Sequence, residues 1–128
     1  MKNKHTNRNI LLDGNSLSLE IIKRITKNEA LNFKICNNAK EKMIKSRNFV
    51  LEVVEKGDPV YGINTGFGAL SDKLIKSKDL KQLQYNLIRS HCAGIGKLFP
   101  NVVVKIIMLV RANCLIKGYS GINPEIVE

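Results

Sequence analysis

A chain of 128 residues with 44% hydrophobic content accommodates one domain with a modest core, and an aromatic content of 5% without tryptophan leaves that core to Ile, Leu and Val. No apolar run approaches the roughly 18 residues that cross a bilayer, and the polar start MKNKHTNRNI has no hydrophobic region leading to a cleavage site, so a cytoplasmic protein without a membrane partner is expected. The net charge of +10 raises nucleic-acid binding, but 16 of the 21 basic residues are lysines scattered from Lys2 to Lys117. Phosphate and base recognition favour a stripe with arginine and interleaved aromatics, so the excess reads as solvated helix faces.

The first element in chain order is a short segment from Ile10 to Leu17, in which Asp13-Gly14-Asn15 is a turn signal between apolar residues, and a small β-hairpin is expected there. Ser18 is a suitable cap for a short helix that carries Leu19, Ile22 and Ile25 inward and ends by Asn28. From Asn37 or Asn38 to Lys56 the apolar positions Ala39, Met43, Val50, Val53 and Val54 predict a long amphipathic helix, closed by Gly57. A third helix is expected from an N-cap at Ser77, with Leu80, Leu83, Leu87 and His91 on one side, ending near Gly94 or Gly96. Pro100 pre-sets the first turn of a fourth, thoroughly buried helix with a broad face of Val103, Ile106, Ile107, Val110 and Cys114, ending at Gly118. That face presents more apolar surface than three short companions can cover, so this helix expects neighbours.

The pattern is therefore mainly α, and residues 1–128 are expected to form a single unit, since no repeat or low-complexity linker interrupts them. Asn123-Pro124-Glu125 has the form of a helix start, with an Asn cap, Pro at the first position and an acid in the first turn. A helix of one turn cannot offset its nucleation cost, so the sequence reads either as cut where another element begins or as a frayed tail. Cys36, Cys92 and Cys114 are odd in number and widely spaced, which argues for small buried hydrophobes rather than a disulfide framework. With His5 and His91 as the only histidines, no metal site is expected.

The chemistry concentrates in VYGINTGFGAL, Val60 to Leu70, where Tyr61 stands among Gly62, Gly66 and Gly68. Glycines there allow positive φ or close approach to a ligand, at an entropic cost a mere connector could avoid. The run lacks the GK[ST] ending of a P-loop and the GxGxxG order of a dinucleotide site. On residue chemistry alone, two readings of Tyr61 stand. Its ring packs in a structural turn, or its phenolate, favoured by positive charge or hydrogen bonds, serves as a base.

VYGINTGFGAL, then LQYNLIRSHCAGIG, then MLVRANCLIKGYSGINPEIVE resemble, in order and approximate spacing, the N-terminal part of histidine ammonia-lyases. LLDGNSLSLE near the start is similar to the entry of the wider aromatic amino acid ammonia-lyase and aminomutase family. The resemblance implies the N-terminal helical domain of the ammonia-lyase fold, carrying a glycine-rich Tyr loop. It also implies elimination of ammonia from L-histidine to give urocanate, a step of histidine catabolism. Tyr61 matches the loop tyrosine that removes a β-proton, and Gly68 a glycine lining the substrate cavity. Gly62 and Gly66 match glycines that shape the loop. Ser90 and His91 fall at the pair of positions that differs with substrate: Ser-His is the histidine type, tyrosine lyases tend to His-Leu and phenylalanine lyases to Phe-Leu. Without the resemblance, His91 reads as a helix-terminal residue whose charge the dipole favours. Cys92 stands where alanine is usual.

The family's electrophile, a methylidene-imidazolone (MIO), forms from an internal Ala-Ser-Gly, and no such tripeptide occurs in these 128 residues. The resemblance therefore implies an N-terminal fragment, truncated or completed by a missing C-terminal part and by homotetramer subunits, and inactive alone. The other readings are a non-catalytic scaffold or interaction domain derived from the family, and a basic nucleic-acid-binding module.

Overall fold

Alternating burial along Asn9–Leu12 marks β1 as a strand with one wet face: Ile10 and Leu12 turn inward while Asn9 and Leu11 face solvent. The computed structural model describes residues 8–128. After β1 come α1 (Leu19–Thr26), β2 (Asn32–Ile35), α2 (Asn37–Lys56), α3 (Leu80–His91) and α4 (Asn101–Leu115), with short 3₁₀ turns at Gly68–Leu70, Ser77–Asp79 and Pro124–Ile126. The chain is mainly helical, as its periodicity predicts. The described residues fall into two compact units, one drawn from Met1–Arg47 with Phe99–Glu128, the other Asn48–Leu98.

In the first unit the expected hairpin is absent. β1 instead pairs in parallel with β2, in the register Asn9↔Asn32 to Leu12↔Ile35, and α1 forms the crossover that a parallel pair requires. The cause lies in Asp13, whose carboxylate accepts the Asn15 and Ser16 amides at 2.8 and 2.7 Å. This turn leads the chain into a helix start rather than back along β1. Ser18 caps α1, its hydroxyl accepting from the Ile21 amide at 3.4 Å. Ile22 and Ile25 pack inward as predicted, but Leu19 is 78% exposed, since the small core of this unit offers it no partner. Asn28, with φ of 58°, ends the helix region in the left-handed conformation that Asn tolerates.

The core of this unit gathers Leu12, Ala39, Met43, Leu109 and Ile116, with Phe33, Ile35 and Ile122 against it. Ala39 and Met43 belong to α2, whose bounds match the predicted helix and whose end passes into Gly57 at φ of 77°. The fourth helix departs from expectation. Only Leu109 is buried along α4, while Ile107 is 52% and Met108 67% exposed, with Val104 and Val110 also in solvent. The two-stranded sheet and α1 are too small to cover more than one stripe of it. Pro100 occupies the cap position before α4 rather than its first turn, and the helix ends at Leu115, short of Gly118. A groove of about 1390 Å³ is lined by Leu12, Ile25, Phe33, Ile35, Met108 and Val127 among others. The Asn123-Pro124-Glu125 start does form a cap, Asn123 accepting from the Glu125 amide at 3.4 Å, over a single 3₁₀ turn.

The cysteines are free thiols. Cys36 is half-buried, but Cys92 and Cys114 are exposed, contrary to the buried placement expected for all three: Cys92 is the cap residue after α3, and Cys114 lies on the uncovered side of α4. His5 lies outside the described residues. Among the described residues no helix is long and apolar enough to cross a membrane.

The second unit is organised by polar groups. Val53 is its buried apolar residue, and Asn64 and Thr65 are each only 2% exposed. The Asn64 side chain accepts the Val60 amide at 2.7 Å and donates to the Asp58 carbonyl at 2.8 Å, cinching the turn that follows α2. Its own carbonyl accepts the Ile75 amide at 2.8 Å, and Gly66 donates to the Lys73 carbonyl at 3.0 Å, beside an antiparallel bridge between Thr65 and Leu74. The segment Thr65–Leu74 is thus a closed loop with the Gly68–Leu70 turn at its tip. α3 follows from the 3₁₀ turn Ser77–Asp79, so Asp79 rather than Ser77 sits at its cap position, and the helix stops at His91 before either Gly94 or Gly96.

Three outcomes follow from this architecture. The isolated chain should self-associate through the apolar side of α4, and Met108→Glu should reduce that association in sedimentation velocity; a wild-type chain that sediments as a sharp monomer would contradict the reading. Asn64→Ala should lower the denaturation midpoint, costing about 1–2 kcal/mol because the part-buried Val60 amide and Asp58 carbonyl lose their partner; an unchanged midpoint would mean the turn holds without it. The Asn15 amide, then that of Ser16, holds the Asp13 carboxyl at about 2, below its ordinary 3.8. A depressed folded-state value stabilises above pH 3.8 and loses that contribution as pH falls through about 2. Asp13→Ala should therefore remove a component of acid destabilisation in that window, and identical acid profiles would show that the turn contributes nothing.

Candidate active site

Tyr61 opens the turn that Asn64 holds. Val60 accepts the amides of Ile63 and Asn64 at 3.0 and 3.3 Å, and Tyr61 sits at the outer edge of this turn, 64% exposed. Its ring meets Phe67 edge to face, with centroids 6.3 Å apart and planes at 73°, a geometry that suits the ring quadrupoles. Among the described residues no group hydrogen-bonds the Tyr61 hydroxyl, so the phenol is held through its ring while its oxygen stays accessible. A side chain anchored this way can meet an incoming proton donor without breaking an existing bond.

The three loop glycines differ in what they do. Gly62 has φ of 80°, a conformation that a residue with Cβ adopts only with strain. Gly66 is needed for room, since a Cβ there would stand 2.6 Å from the Leu70 Cβ and 2.7 Å from the Leu70 carbonyl oxygen. Gly68, at the start of the tip turn, shares the left-handed backbone of Gly62, with φ of 57°, and at both positions nothing stands within 4 Å of where a Cβ would be.

Ser90 and His91 are the last two residues of α3, with Cys92 at the cap position. The Ser90 hydroxyl donates to the Leu87 carbonyl at 2.8 Å, and His91 Nδ1 lies 2.9 Å from the same oxygen and 3.0 Å from Ser90 Oγ. Both side chains are exposed. The structure thus joins Ser90 to His91, and Tyr61 to Phe67 and the glycine loop, all within Asn48–Leu98. Among the described residues no hydrogen bond or ring contact links Tyr61 to the Ser90–His91 pair. The groove beside α4 is lined by none of these residues. Among the described residues no group of three or more His, Cys, Asp or Glu is arranged to hold a metal ion.

Sequence reasoning overlooked Asn64, Thr65 and Phe67, although a signal was present. An amide and a hydroxyl set between glycines in a tight turn are the residue types that hydrogen-bond neighbouring backbone, and the single aromatic of the loop is the natural partner for a phenol.

The family model described as aromatic amino acid lyase matches residues 17–128. The histidine ammonia-lyases of Geobacillus sp. (strain WCH70) and Bacillus thuringiensis (strain Al Hakam) are each 44% identical over 119 residues, which is 93% of this chain and 23% of theirs. The chain therefore spans 23% of the length of these relatives. Among solved structures, histidine ammonia-lyase from Trypanosoma cruzi matches with a TM-score of 0.84 at 33% identity, covering 93% of this chain and 23% of that one. The ergothioneine-degrading ergothionase from Treponema denticola, in complex with desmethyl-ergothioneine sulfonic acid, matches with a TM-score of 0.85 at 33% identity, covering 93% and 24%. Its sequence and fold together make this chain a member of the aromatic amino acid lyase family.

Proposed function

We propose that these 128 residues carry the base and the ring-reading side chain of a histidine ammonia-lyase site, for the elimination of ammonia from L-histidine to give urocanate. The observation that carries this reading is the accessible Tyr61 hydroxyl on a loop whose backbone is fixed independently of it, by Asn64 and by the Thr65–Leu74 bridge. In the proposed step the Tyr61 phenolate takes a β-proton, the freed electron pair forms the Cα=Cβ bond, and the amine leaves as ammonia. Gly68 leaves space for the bound amino acid, and Gly62 and Gly66 fix the loop shape. His91, with Ser90 beside it, reads the substrate ring.

The family's methylidene-imidazolone supplies electrophilic activation of the leaving amine. These residues include no Ala-Ser-Gly from which that group forms, so they do not fit the group. A base without that activation leaves most of the barrier in place, because such groups act as a unit. Activity is therefore assigned to an assembly in which this chain is joined to the remaining part of a lyase, with further subunits where these complete the site. A second reading, a non-catalytic interaction domain, is favoured by the exposed apolar side of α4. Both place a partner beside the chain, and only the first requires Tyr61.

The test is a fusion of residues 1–128 to the remainder of the Geobacillus relative, assayed by urocanate absorbance. Tyr61→Phe, which keeps the ring against Phe67 and removes the hydroxyl, should lower kcat about 10²-fold or more while leaving the fold intact. Near-normal turnover by the Phe variant would take Tyr61 out of the base role. Equal partner binding without turnover in either form would favour the interaction-domain reading.

A further inference from the structure

The contacts around His91 determine which of its ring nitrogens carries the proton. The Leu87 carbonyl oxygen can only accept, and it lies 2.8 Å from Ser90 Oγ and 2.9 Å from His91 Nδ1. The single hydroxyl proton of Ser90 is committed to that carbonyl. Its oxygen, 3.0 Å from Nδ1, is then left as an acceptor. Nδ1 therefore faces two acceptors. Without a proton it would set its lone pair against both oxygens at hydrogen-bonding distance; with one it donates to them. The opposite arrangement, with Ser90 donating to a bare Nδ1, would leave the Leu87 oxygen 2.9 Å from a second lone pair.

We infer that Ser90 and the Leu87 carbonyl hold His91 in the Nδ1–H form, so that the neutral ring presents Nε2 as a hydrogen-bond acceptor and selects amino acids whose side-chain ring carries an N–H donor. The inference rests on the reading of His91 as the residue that meets the substrate ring, and it adds the polarity of that contact. An imidazole N–H satisfies Nε2. A hydrocarbon ring offers it nothing, and a ring with acceptor nitrogens alone opposes it. The Leu87 carbonyl sets the tautomer, and Ser90, its own proton given to that carbonyl, adds a second acceptor beside Nδ1. The form adopted by a histidine is set by the hydrogen bond its other nitrogen makes, and here that bond is intrahelical and present before any ligand arrives.

The tautomer can be read without catalysis. Solid-state ¹⁵N spectra of histidine-labelled chain, which self-association does not spoil, contain two histidines, and the loss of signals in His91→Gln assigns the pair. At a pH where the ring is neutral, His91 should give a pyrrole-type Nδ1 and a pyridine-type Nε2, and Ser90→Ala should keep that order because the Leu87 carbonyl remains. A pyridine-type Nδ1 in the native chain would overturn the inference, and so would a reversal of order in Ser90→Ala. The ligand class is read separately in the lyase fusion. Ring N-methylated L-histidines, which lack any ring N–H, should bind roughly tenfold worse than L-histidine, the value of one lost hydrogen bond. 1,2,4-Triazol-3-yl-alanine, which keeps an N–H at the same size, should retain binding. If the Nδ1–H form is found but methylated and unmethylated rings bind alike, the selection of N–H donors is refuted and the reading of His91 as the ring reader fails with it, while the tautomer stands.

Discussion

The Tyr61 loop depends on one buried carboxamide. Asn64 reaches back across the turn to the Asp58 carbonyl and the Val60 amide, and its backbone carbonyl holds Ile75 on the far side of the loop. A single residue thus ties the end of α2, the tyrosine turn and the returning strand-like segment together. Satisfying these groups inside the protein matters because each would cost free energy if buried without a partner. With the backbone fixed this way, Tyr61 is 64% exposed and its hydroxyl has no hydrogen-bond partner among the described residues. The ring contact with Phe67 restrains its direction without engaging the oxygen.

The other unit follows a different logic. Its core is a small cluster from β1, α2, α4 and the turn after α4, and the sheet beneath it has only two strands. That is enough to bury one stripe of α4 and leaves the rest apolar and exposed. An exposed apolar face of this kind is the type of surface that protein–protein contacts cover. No Ala-Ser-Gly, the precursor of the family's electrophile, occurs in these 128 residues.

Much of this was legible from residues alone, and the failures have physical causes. The helix bounds of α2 and the Ser18 cap could be read because apolar spacing and capping chemistry are local. The hairpin was misread because Asp-Gly-Asn signals a turn but not the direction of the chain after it; the Asp13 carboxylate, engaged with the amides of Asn15 and Ser16, and the nearby Ser18 cap decided that direction. Burial of α4 was overestimated because a broad apolar face says what a helix would bury, not whether partners are present to cover it. Leu19 and Cys114 failed for the same reason. At the site, the glycines and Tyr61 stood out as unusual residues in a turn, whereas Asn64 and the orientation of the His91 ring depend on through-space hydrogen bonds that spacing does not reveal.

The most direct measurement is urocanate formation from L-histidine by the purified 128-residue chain, alone and joined to the remaining part of a histidine ammonia-lyase. The account predicts no turnover from the chain alone and turnover once the rest of the site is supplied. Urocanate production by the isolated chain, or a correctly assembled fusion that fails to turn over histidine, would contradict it.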